Sequence, residues 1–181
     1  MIVLGVDPGT RHAGYGVVEI ERGTSRVVVY GVLNLPTTEE HHDRIARLYD
    51  SIHRIAGEFG AQECAVETPF HGKNAQAMLK LGRAQAAVML AASHRNLPIA
   101  QYAPAEIKKA LTGRGGATKD QVWYMVRHML SLEEDKGRDA SDALAVALCH
   151  AGRSRNIPGD QTRGGWAKFL SANAGRIVGG T

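Results

Sequence analysis

The sequence predicts a single-domain α/β fold in which helices flank a mixed sheet. Short apolar runs of strand length alternate with longer segments whose apolar residues recur every three or four positions. A length of 181 residues suffices for one hydrophobic core and is too short for two full catalytic lobes. With 44% apolar and 22% charged residues, the composition is that of a folded globular protein.

The N-terminal segment predicts three antiparallel strands. Ile2–Val6 is a continuous apolar run that ends at Asp7-Pro8-Gly9, which is typical of a buried strand followed by a turn. Gly14–Ile20 and Arg26–Leu33 follow as strands, separated by the turn residues Glu21-Arg22-Gly23. Connections this short favour antiparallel neighbours.

A long amphipathic helix and a parallel strand come next. Thr37 and Glu40 have the spacing of a capping box. Apolar residues then recur at helical spacing: Ile45, Leu48, Ile52, Ile55 and Phe59. Glu63–Glu67 predicts a fourth strand, and the helical crossover places it parallel to an earlier strand.

The rest of the patterned chain predicts a second crossover and three more helices. A helix over Asn74–Arg95 leads to a short strand, Ile99–Tyr102. Helices are then expected over Pro104–Leu111, Thr118–Leu130 and Arg138–Arg153. The apolar pattern fails after Asn156. We therefore expect one domain over residues 1–155 and a flexible, Gly/Arg-rich C-terminal tail over residues 156–181.

Composition and cysteine usage exclude several classes of protein. No apolar run approaches the roughly 20 residues that a membrane-spanning helix needs, and the N-terminus has no basic flank with a cleavage site. We therefore expect a cytoplasmic protein without a membrane partner. Cys64 and Cys149 lie apart, without a Cys/His cluster, which predicts buried, reduced thiols. A net charge of +4 is compatible with a polyanionic partner.

Four carboxylates lie where the predicted elements can bring them together. Asp7 ends the first strand and Glu67 ends the fourth, so they meet at one sheet edge if these strands are neighbours. Asp139 and Asp142 are three residues apart near the start of the last helix and project from one face. Small and apolar residues around them indicate close packing on the sheet: Ala140, Ala143, Leu144, Ala147 and Leu148.

Gathered carboxylates of this kind predict a metal site. Like charges repel, and proteins normally tolerate such a cluster when a cation neutralises it. Oxygen ligands without a Cys/His cluster indicate Mg²⁺, for which Mn²⁺ can substitute. Two such ions roughly 3.5 to 4 Å apart activate water and stabilise the leaving oxygen of a phosphodiester. The predicted chemistry is hydrolysis of nucleic acid with two ions per active site.

Each carboxylate also has a structural explanation. Asp7 before Pro8 is compatible with a simple turn, and Asp139 with an acidic residue that complements a helix N-terminus. Glu67 and Asp142 are harder to explain in this way, because burial of an unpaired charge is costly. Candidate cationic partners for one of the four are Arg11, Arg83 and Arg138.

Several separated motifs occur in the order found in one enzyme family. They are Gly5-Val6-Asp7-Pro8-Gly9-Thr10 with Gly14-Tyr15-Gly16, Val66-Glu67 with Phe70 and Lys73-Asn74, Leu79-Lys80-Leu81-Gly82, Tyr102-Ala103-Pro104 with Ile107-Lys108, Thr112-Gly113-Arg114-Gly115, Lys119-Asp120-Gln121-Val122, and Asp139-Ala140-Ser141-Asp142-Ala143-Leu144-Ala145. In these motifs the chain resembles the RuvC family of crossover junction endodeoxyribonucleases, the bacterial Holliday junction resolvases. The opening motif alone is weakly specific, since actin-like kinases use a similar one. The whole series is highly specific.

The resemblance implies both a fold and an active site. The fold is ribonuclease-H-like, with a mixed five-stranded sheet of three antiparallel strands followed by two parallel ones, flanked by helices on both faces. Catalysis and metal binding fall on Asp7, Glu67, Asp139 and Asp142, the carboxylates that the residue pattern selects. Implied partners are four-way junction DNA and a branch-migration complex of the RuvA and RuvB type.

An aromatic residue and a set of basic residues are candidate DNA contacts. Phe70, three residues beyond Glu67, is placed to wedge against unstacked bases at a junction centre, although it could instead anchor its own loop. Basic residues after the catalytic strands predict a phosphate-binding face: Lys73, Lys80, Arg83, Lys108, Lys109, Arg114 and Lys119. Some of these are expected to be ordinary surface charges. Lys108 and Lys119 are the strongest candidates because they lie in family motifs.

The segment Asn74–Arg95 is a candidate dimer surface. Small and flexible residues lie on more than one of its faces: Ala77, Met78, Gly82, Ala86, Met89 and Ala92. Packing inside the domain explains part of this pattern equally well. Paired nicks in a four-way junction require two sites, so we expect a homodimer that acts in recombination and repair.

Three other functions fit parts of the sequence. An actin-like phosphotransferase would use Asp7-Pro8-Gly9-Thr10 near ATP phosphate, but such sites need two lobes. A non-catalytic nucleic-acid-binding module would not need Asp139 and Asp142. Another ribonuclease-H-like nuclease, acting on RNA or an RNA/DNA hybrid, is the closest rival because its carboxylate site would look the same. Phe70 and the expected dimer favour junctions.

Overall fold

The computed structural model describes residues 1–69, 74–133 and 137–154. Its elements are β1 (Ile2–Asp7), β2 (His12–Glu21), β3 (Thr24–Asn34), α1 (His41–Glu58), β4 (Glu63–Glu67), α2 (Ala75–Ser93), β5 (Ile99–Tyr102), α3 (Pro104–Thr112), α4 (Lys119–Leu130) and α5 (Arg138–Ser154). The strands form one sheet in the order β3-β2-β1-β4-β5. β1, β2 and β3 pair antiparallel, whereas β4 and β5 are added in parallel on the other side of β1. The predicted mixed five-stranded sheet is confirmed.

The sheet separates two hydrophobic cores, one on each face. Successive residues of β1 point to opposite faces, so that Val3 lies in one core while Leu4 and Val6 lie in the other. On the first face, β1 packs with α3, α4 and α5. On the second face, it packs with α1 and α2. Helices therefore cover both faces, as predicted.

Glycines in β1 and β2 allow α5 to approach the sheet backbone closely. A Cβ atom added to Gly5 would lie 2.2 Å from the carbonyl oxygen of Ala143 and 2.8 Å from the Cβ of Ala147. A Cβ at Gly14 would lie 1.8 Å from the carbonyl oxygen of Asp139. Because no side chain larger than hydrogen fits there, these glycines fix how closely the start of α5 lies over β1 and β2.

Polar side chains cap the N-termini of α2 and α4. The Asn74 side chain accepts a hydrogen bond from the Ala77 amide and caps α2, and Thr118 caps α4 in the same way. The capping box predicted from Thr37 and Glu40 is wrong, because α1 begins at His41 and its N-cap, Glu40, makes no side-chain cap hydrogen bond. A turn competes for this segment: the Glu39 amide donates to the carbonyl of Pro36.

Three expectations about the chain as a whole meet different outcomes. Cys64 and Cys149 are buried free thiols, as predicted. In the part of the chain that the structure describes, no helix is both long and apolar enough to cross a membrane. The tail predicted over residues 156–181 lies outside the described residues.

Candidate active site

Strand alternation places Asp7 and Glu67 on the same face of the sheet. Asp7 lies two residues beyond Gly5, whose backbone faces α5, and Glu67 lies two residues beyond Ala65, which belongs to the core that α5 shares. β1 and β4 are parallel neighbours in which Val6 pairs with Val66. Asp7 and Glu67 are the next residues of the two strands, so their carboxylates lie side by side at the carboxyl ends. The expectation that these two strands are neighbours is confirmed.

The first turns of α5 bring two more carboxylates to this edge. Asp7 pairs across the sheet with Gly14, and Gly14 is the residue on which the backbone of Asp139 rests. One carboxylate oxygen each from Asp7, Asp139 and Asp142 lies within 4.8 Å of the others, and all three side chains are half-buried. Glu67 is also half-buried and lies close enough to interact electrostatically with Asp7 and Asp142. The structure thus brings all four predicted carboxylates together.

Burial and mutual repulsion raise the pKa values of the two strand carboxylates. Burial is the main reason that the pKa of Asp7 rises to about 6, and the charges of Asp142 and Asp139 add to it. Burial likewise raises the pKa of Glu67 to about 8, with further contributions from Asp7 and Asp142. Glu67 therefore tends to hold its proton at neutral pH, and Asp7 ionises at a higher pH than an ordinary aspartate.

Lys119 is the cation that the structure places inside this cluster. Its Nζ donates a hydrogen bond of 2.8 Å to Oδ2 of Asp142, and this hydrogen bond is the main reason that the pKa of Lys119 rises. The charge of Lys119 also lowers the pKa values of Asp7 and Glu67. Among the described residues, the ion pair to Asp142 comes from Lys119, not from the candidate partners Arg11, Arg83 and Arg138.

The donor set fits a hard divalent cation. Carboxylate oxygens from three segments converge, and neither buried cysteine belongs to the cluster. Burial is the main reason that the pKa values of Asp7 and Glu67 are raised, and repulsion among the carboxylates adds to it, although Lys119 lowers both values and Lys108 lowers that of Glu67. Mg²⁺ and Mn²⁺ prefer this kind of ligand, and a divalent ion would restore the ionised forms.

The predicted basic residues lie in different places. Lys108 on α3 is close enough to Glu67 to lower the pKa of that carboxyl. Arg114 is exposed in the turn between α3 and α4. Lys109 lines another cleft, of about 480 Å³, together with Ser25 and Arg153 near the far end of α5. Its role in DNA binding therefore stays a prediction that the carboxylate geometry does not support.

The region around α2 contains the remaining basic residues. Lys80 lines a cleft of about 450 Å³ beside Thr10, which follows Asp7 by three residues. Arg83 lies near His41, whose pKa is lowered first by burial and then by surrounding cations that include Arg44, Arg83 and Lys80. Phe70 and Lys73 lie outside the described residues.

This cleft also contains two arginines that the sequence pattern does not identify as candidate DNA contacts. Arg11 and Arg44 line the cleft together with Lys80, and no acidic residue is among its described lining. Nη1 of Arg44 donates a 2.7 Å hydrogen bond to the carbonyl of Thr10. Arg44 lies in the first turns of α1 and looks like an ordinary surface residue of an amphipathic helix, so periodicity alone did not distinguish it.

Comparison with known proteins identifies close relatives. A family model described as crossover junction endodeoxyribonuclease RuvC matches residues 3–150. A crossover junction endodeoxyribonuclease RuvC from Salinibacter ruber is 47% identical over 178 residues, covering 98% of this chain and 99% of its own length. The structure of Thermus thermophilus RuvC in complex with a Holliday junction substrate is 34% identical, with a TM-score of 0.81, and covers 86% of this chain and 95% of its own. A yeast mitochondrial Holliday junction resolvase, at 15% identity and a TM-score of 0.58, shares the fold.

Proposed function

This chain belongs to the RuvC family of crossover junction endodeoxyribonucleases, and we propose that it resolves four-way DNA junctions by paired, symmetric nicks. The observation that carries the proposal is the convergence of Asp7, Glu67, Asp139 and Asp142 at one edge of the sheet. A binding module without catalysis would have no use for four half-buried carboxylates gathered at one edge of the sheet. The cost of assembling them is explained if the cluster holds metal ions.

The four carboxylates are the proposed catalytic and metal-binding residues. Bound there, two Mg²⁺ ions, or Mn²⁺ in their place, would activate a water molecule and stabilise the leaving oxygen of the scissile phosphodiester. Asp7 and Glu67 project from paired strands, and α5 holds Asp139 against Gly14 of β2 and carries Asp142 three residues further on. Such a scaffold keeps the ligands oriented while the substrate changes. Lys119, which pairs with Asp142, is placed to contact a phosphate beside the site.

A basic surface on both sides of the carboxylates is the proposed DNA contact. Lys108 and Lys119 lie on the α3 and α4 side, and Arg114 lies in the turn between these helices. Lys80 and Arg83 lie on the α2 side with the cleft arginines. A DNA strand crossing the carboxylates would meet phosphate-binding side chains in both directions. Phe70 and Lys73, which stand between Glu67 and α2 in the sequence, complete the proposed contact set.

The proposed assembly is a homodimer formed through α2. Leu79 and Leu90 are 57% and 52% exposed on this helix, and the exposed Gly82 and Ala86 lie between them at helical spacing. Large exposed apolar side chains beside small ones suit close approach of a second helix. A two-fold dimer would supply two sites to a junction with pseudo-two-fold symmetry. A RuvA and RuvB type branch-migration complex is the further partner that we propose.

The proposal is tested by cleavage of defined substrates. Purified protein is incubated with an immobile four-way junction, a matched linear duplex and an RNA/DNA hybrid, each with Mg²⁺ or with EDTA. We expect Mg²⁺-dependent nicks confined to the junction and placed symmetrically about the crossover when the strands are mapped on a denaturing gel. Preferential cutting of the hybrid would overturn the substrate assignment, and cleavage in EDTA would overturn the metal dependence.

A further inference from the structure

A buried chain of polar side chains links α5 to β4 and β5 at a distance from the carboxylates. Nε2 of His150 on α5 lies 2.5 Å from Oε2 of Glu63, the first residue of β4. Nδ1 of His150 lies 2.6 Å from the hydroxyl of Tyr102, the last residue of β5. Tyr102 and His150 are only 4% and 8% exposed, so both hydrogen bonds are shielded from solvent on the imidazole side. We call these three residues the Glu63–His150–Tyr102 chain.

The chemistry of the three groups fixes the direction of the hydrogen bonds in the neutral form. A carboxylate only accepts, so the Nε2–H of His150 donates to Glu63. Nδ1 is then the acceptor for the hydroxyl of Tyr102, which remains protonated because burial raises its pKa. Every polar atom facing His150 is thereby satisfied, and a change to any of the three residues leaves a buried partner unmatched.

The same three residues are connected to the carboxylate cluster through the backbone. Tyr102 pairs with Glu67 in the β4–β5 ladder. The carbonyl of Tyr102 also accepts hydrogen bonds from the amide and the hydroxyl of Thr68, at 2.9 and 3.2 Å. Thr68 directly follows Glu67, so Tyr102 holds the end of β4 that carries this carboxylate. His150 lies on the helix that carries Asp139 and Asp142.

The distance between the carboxylate cluster and the Glu63–His150–Tyr102 chain is about the same along α5 as along β4. Asp142 and His150 are separated by eight residues of α5, a rise of about 12 Å. Glu67 and Glu63 are separated by four residues of β4, about 13 Å. α5 therefore lies antiparallel to β4, joined to it by a hydrogen bond at one end and meeting it at the carboxylate cluster at the other.

Small side chains make up part of the contact between these two ends. Ala143 and Ala147 of α5 pack against Gly5, and Ala65 is the buried residue of β4 between Glu63 and Glu67. Such a contact fixes how closely the helix approaches the sheet. Leu144 of α5 also lies against Gly16 of β2. On the β4 side, the hydrogen bond between His150 and Glu63 adds a directional restraint on the axial position of the helix.

We infer that Glu63, His150 and Tyr102 are positioning residues for the metal site, because they set the axial position of α5 against β4 and so the placement of Asp139 and Asp142 relative to Glu67. This inference rests on the proposed function, since it concerns the metal ligands named there. Loss of a hydrogen-bond partner of a metal ligand typically lowers metal affinity about 10-fold to 100-fold. Glu63, His150 and Tyr102 act at a greater distance, so we expect an effect at the lower end of that range.

The test measures Mn²⁺ binding to the DNA-free protein, by electron paramagnetic resonance of the free ion, together with Tm. We expect His150→Leu to raise the Mn²⁺ dissociation constant by about 10-fold. His150→Gln, which keeps a donor directed at Glu63, should recover much of the affinity. Ile52→Val, in the core on the opposite face of the sheet, is the matched control that lowers Tm and leaves Mn²⁺ binding unchanged.

If His150→Leu has a lower Tm but the Mn²⁺ affinity of the wild type, the inference is overturned. The Glu63–His150–Tyr102 chain would then contribute to stability alone. If His150→Leu does not fold, Tyr102→Phe decides the question, because it removes a single oxygen atom. We then expect a smaller rise in the Mn²⁺ dissociation constant. An unchanged dissociation constant would overturn the inference. If the wild-type protein binds no Mn²⁺, or binds it in a way that does not depend on Asp7, the proposed metal site is refuted, and the inference with it.

Discussion

The two faces of the sheet are packed in different ways. On one face, α5 lies against the glycines of β1 and β2, so that backbone meets backbone. On the other face, larger side chains from α1 and α2 fill the space, among them Leu48, Ile52 and Val88. Large side chains that interdigitate can partly repack after a substitution. A Cβ atom that overlaps a carbonyl oxygen can be accommodated only if the helix backbone moves. The comparison teaches that the helix with the closest approach to the sheet backbone is the one that carries two of the active-site carboxylates.

The largest expected effect comes from a carboxylate on the glycine-lined face. Asp7→Asn removes one metal ligand from the centre of the cluster, so junction cleavage should fall at least about 100-fold. Tm without metal should stay the same or rise, because repulsion of Asp7 by Asp142 and Asp139 is relieved. Denaturing gels and thermal unfolding measure the two effects. Asp50→Asn, on the exposed surface of α1, is the control and should leave cleavage intact.

A pair of core substitutions tests the difference between the faces directly. Gly5→Ala forces the start of α5 away from β1 and should cost about 1–3 kcal/mol of stability while also reducing cleavage by the folded protein. Leu48→Ala on the other face should cost more stability, about 2–5 kcal/mol, and leave cleavage by the folded fraction unchanged. Chemical denaturation and single-turnover cleavage give both quantities. Equal cleavage by the two variants would remove the functional distinction between the faces.

The pH dependence of stability is the next effect in size. Folding raises the pKa of Asp7 from 3.8 to about 6 and that of Glu67 from 4.5 to about 8. The folded state therefore binds more protons than the unfolded state between these values, and the contribution of these groups to stability falls as pH rises from about 4 to 8. Mg²⁺ competes with those protons, so the rise in Tm that it produces should grow with pH over this window.

Glu67→Gln is the informative variant for this prediction. It removes the group with the larger shift, so the metal-free stability should depend less on pH between about 5 and 8. Thermal unfolding in EDTA and in Mg²⁺ across this range measures the change. The wild-type Tm is compared in Mg²⁺ and in EDTA at pH 5 and at pH 8. If the difference in Tm is the same at both pH values, the raised pKa values of Asp7 and Glu67 are contradicted.

Much of the fold and site follows from the sequence because both depend on local pattern. Strand and helix periodicity places the elements, and the position of Asp7 and Glu67 at strand ends identifies the site once β1 and β4 are neighbours. The pairing of Lys119 with Asp142 spans 23 residues and depends on how α4 meets α5, which no local pattern encodes. The spacing of Thr37 and Glu40 is that of a capping box, yet Thr37 lies in the turn closed by Pro36 and Glu39, and Glu40 makes no side-chain cap hydrogen bond.

Lys108 and Lys109 illustrate the limit of sequence reasoning most sharply and provide the smallest predicted effect. Adjacent residues of a helix differ by about 100° in direction, so two neighbouring lysines face different surroundings. Lys108 lowers the pKa of Glu67, whereas Lys109 lines the cleft beside Arg153 at the far end of α5. Both were predicted as phosphate contacts from their position in the chain, but only Lys108 lies beside the carboxylates.

Lys108→Gln should weaken binding of a four-way junction and reduce the slope of log affinity against log salt by about 1, because one phosphate contact is lost. Lys109→Gln carries the same change of charge at the next position and should leave the slope unchanged. Binding is measured in Ca²⁺ over a range of salt concentrations to prevent cleavage. Equal loss in the two variants would mean that net charge, and not a contact beside the carboxylates, governs this part of the affinity. Loss in Lys109→Gln alone would extend the DNA surface to the far end of α5.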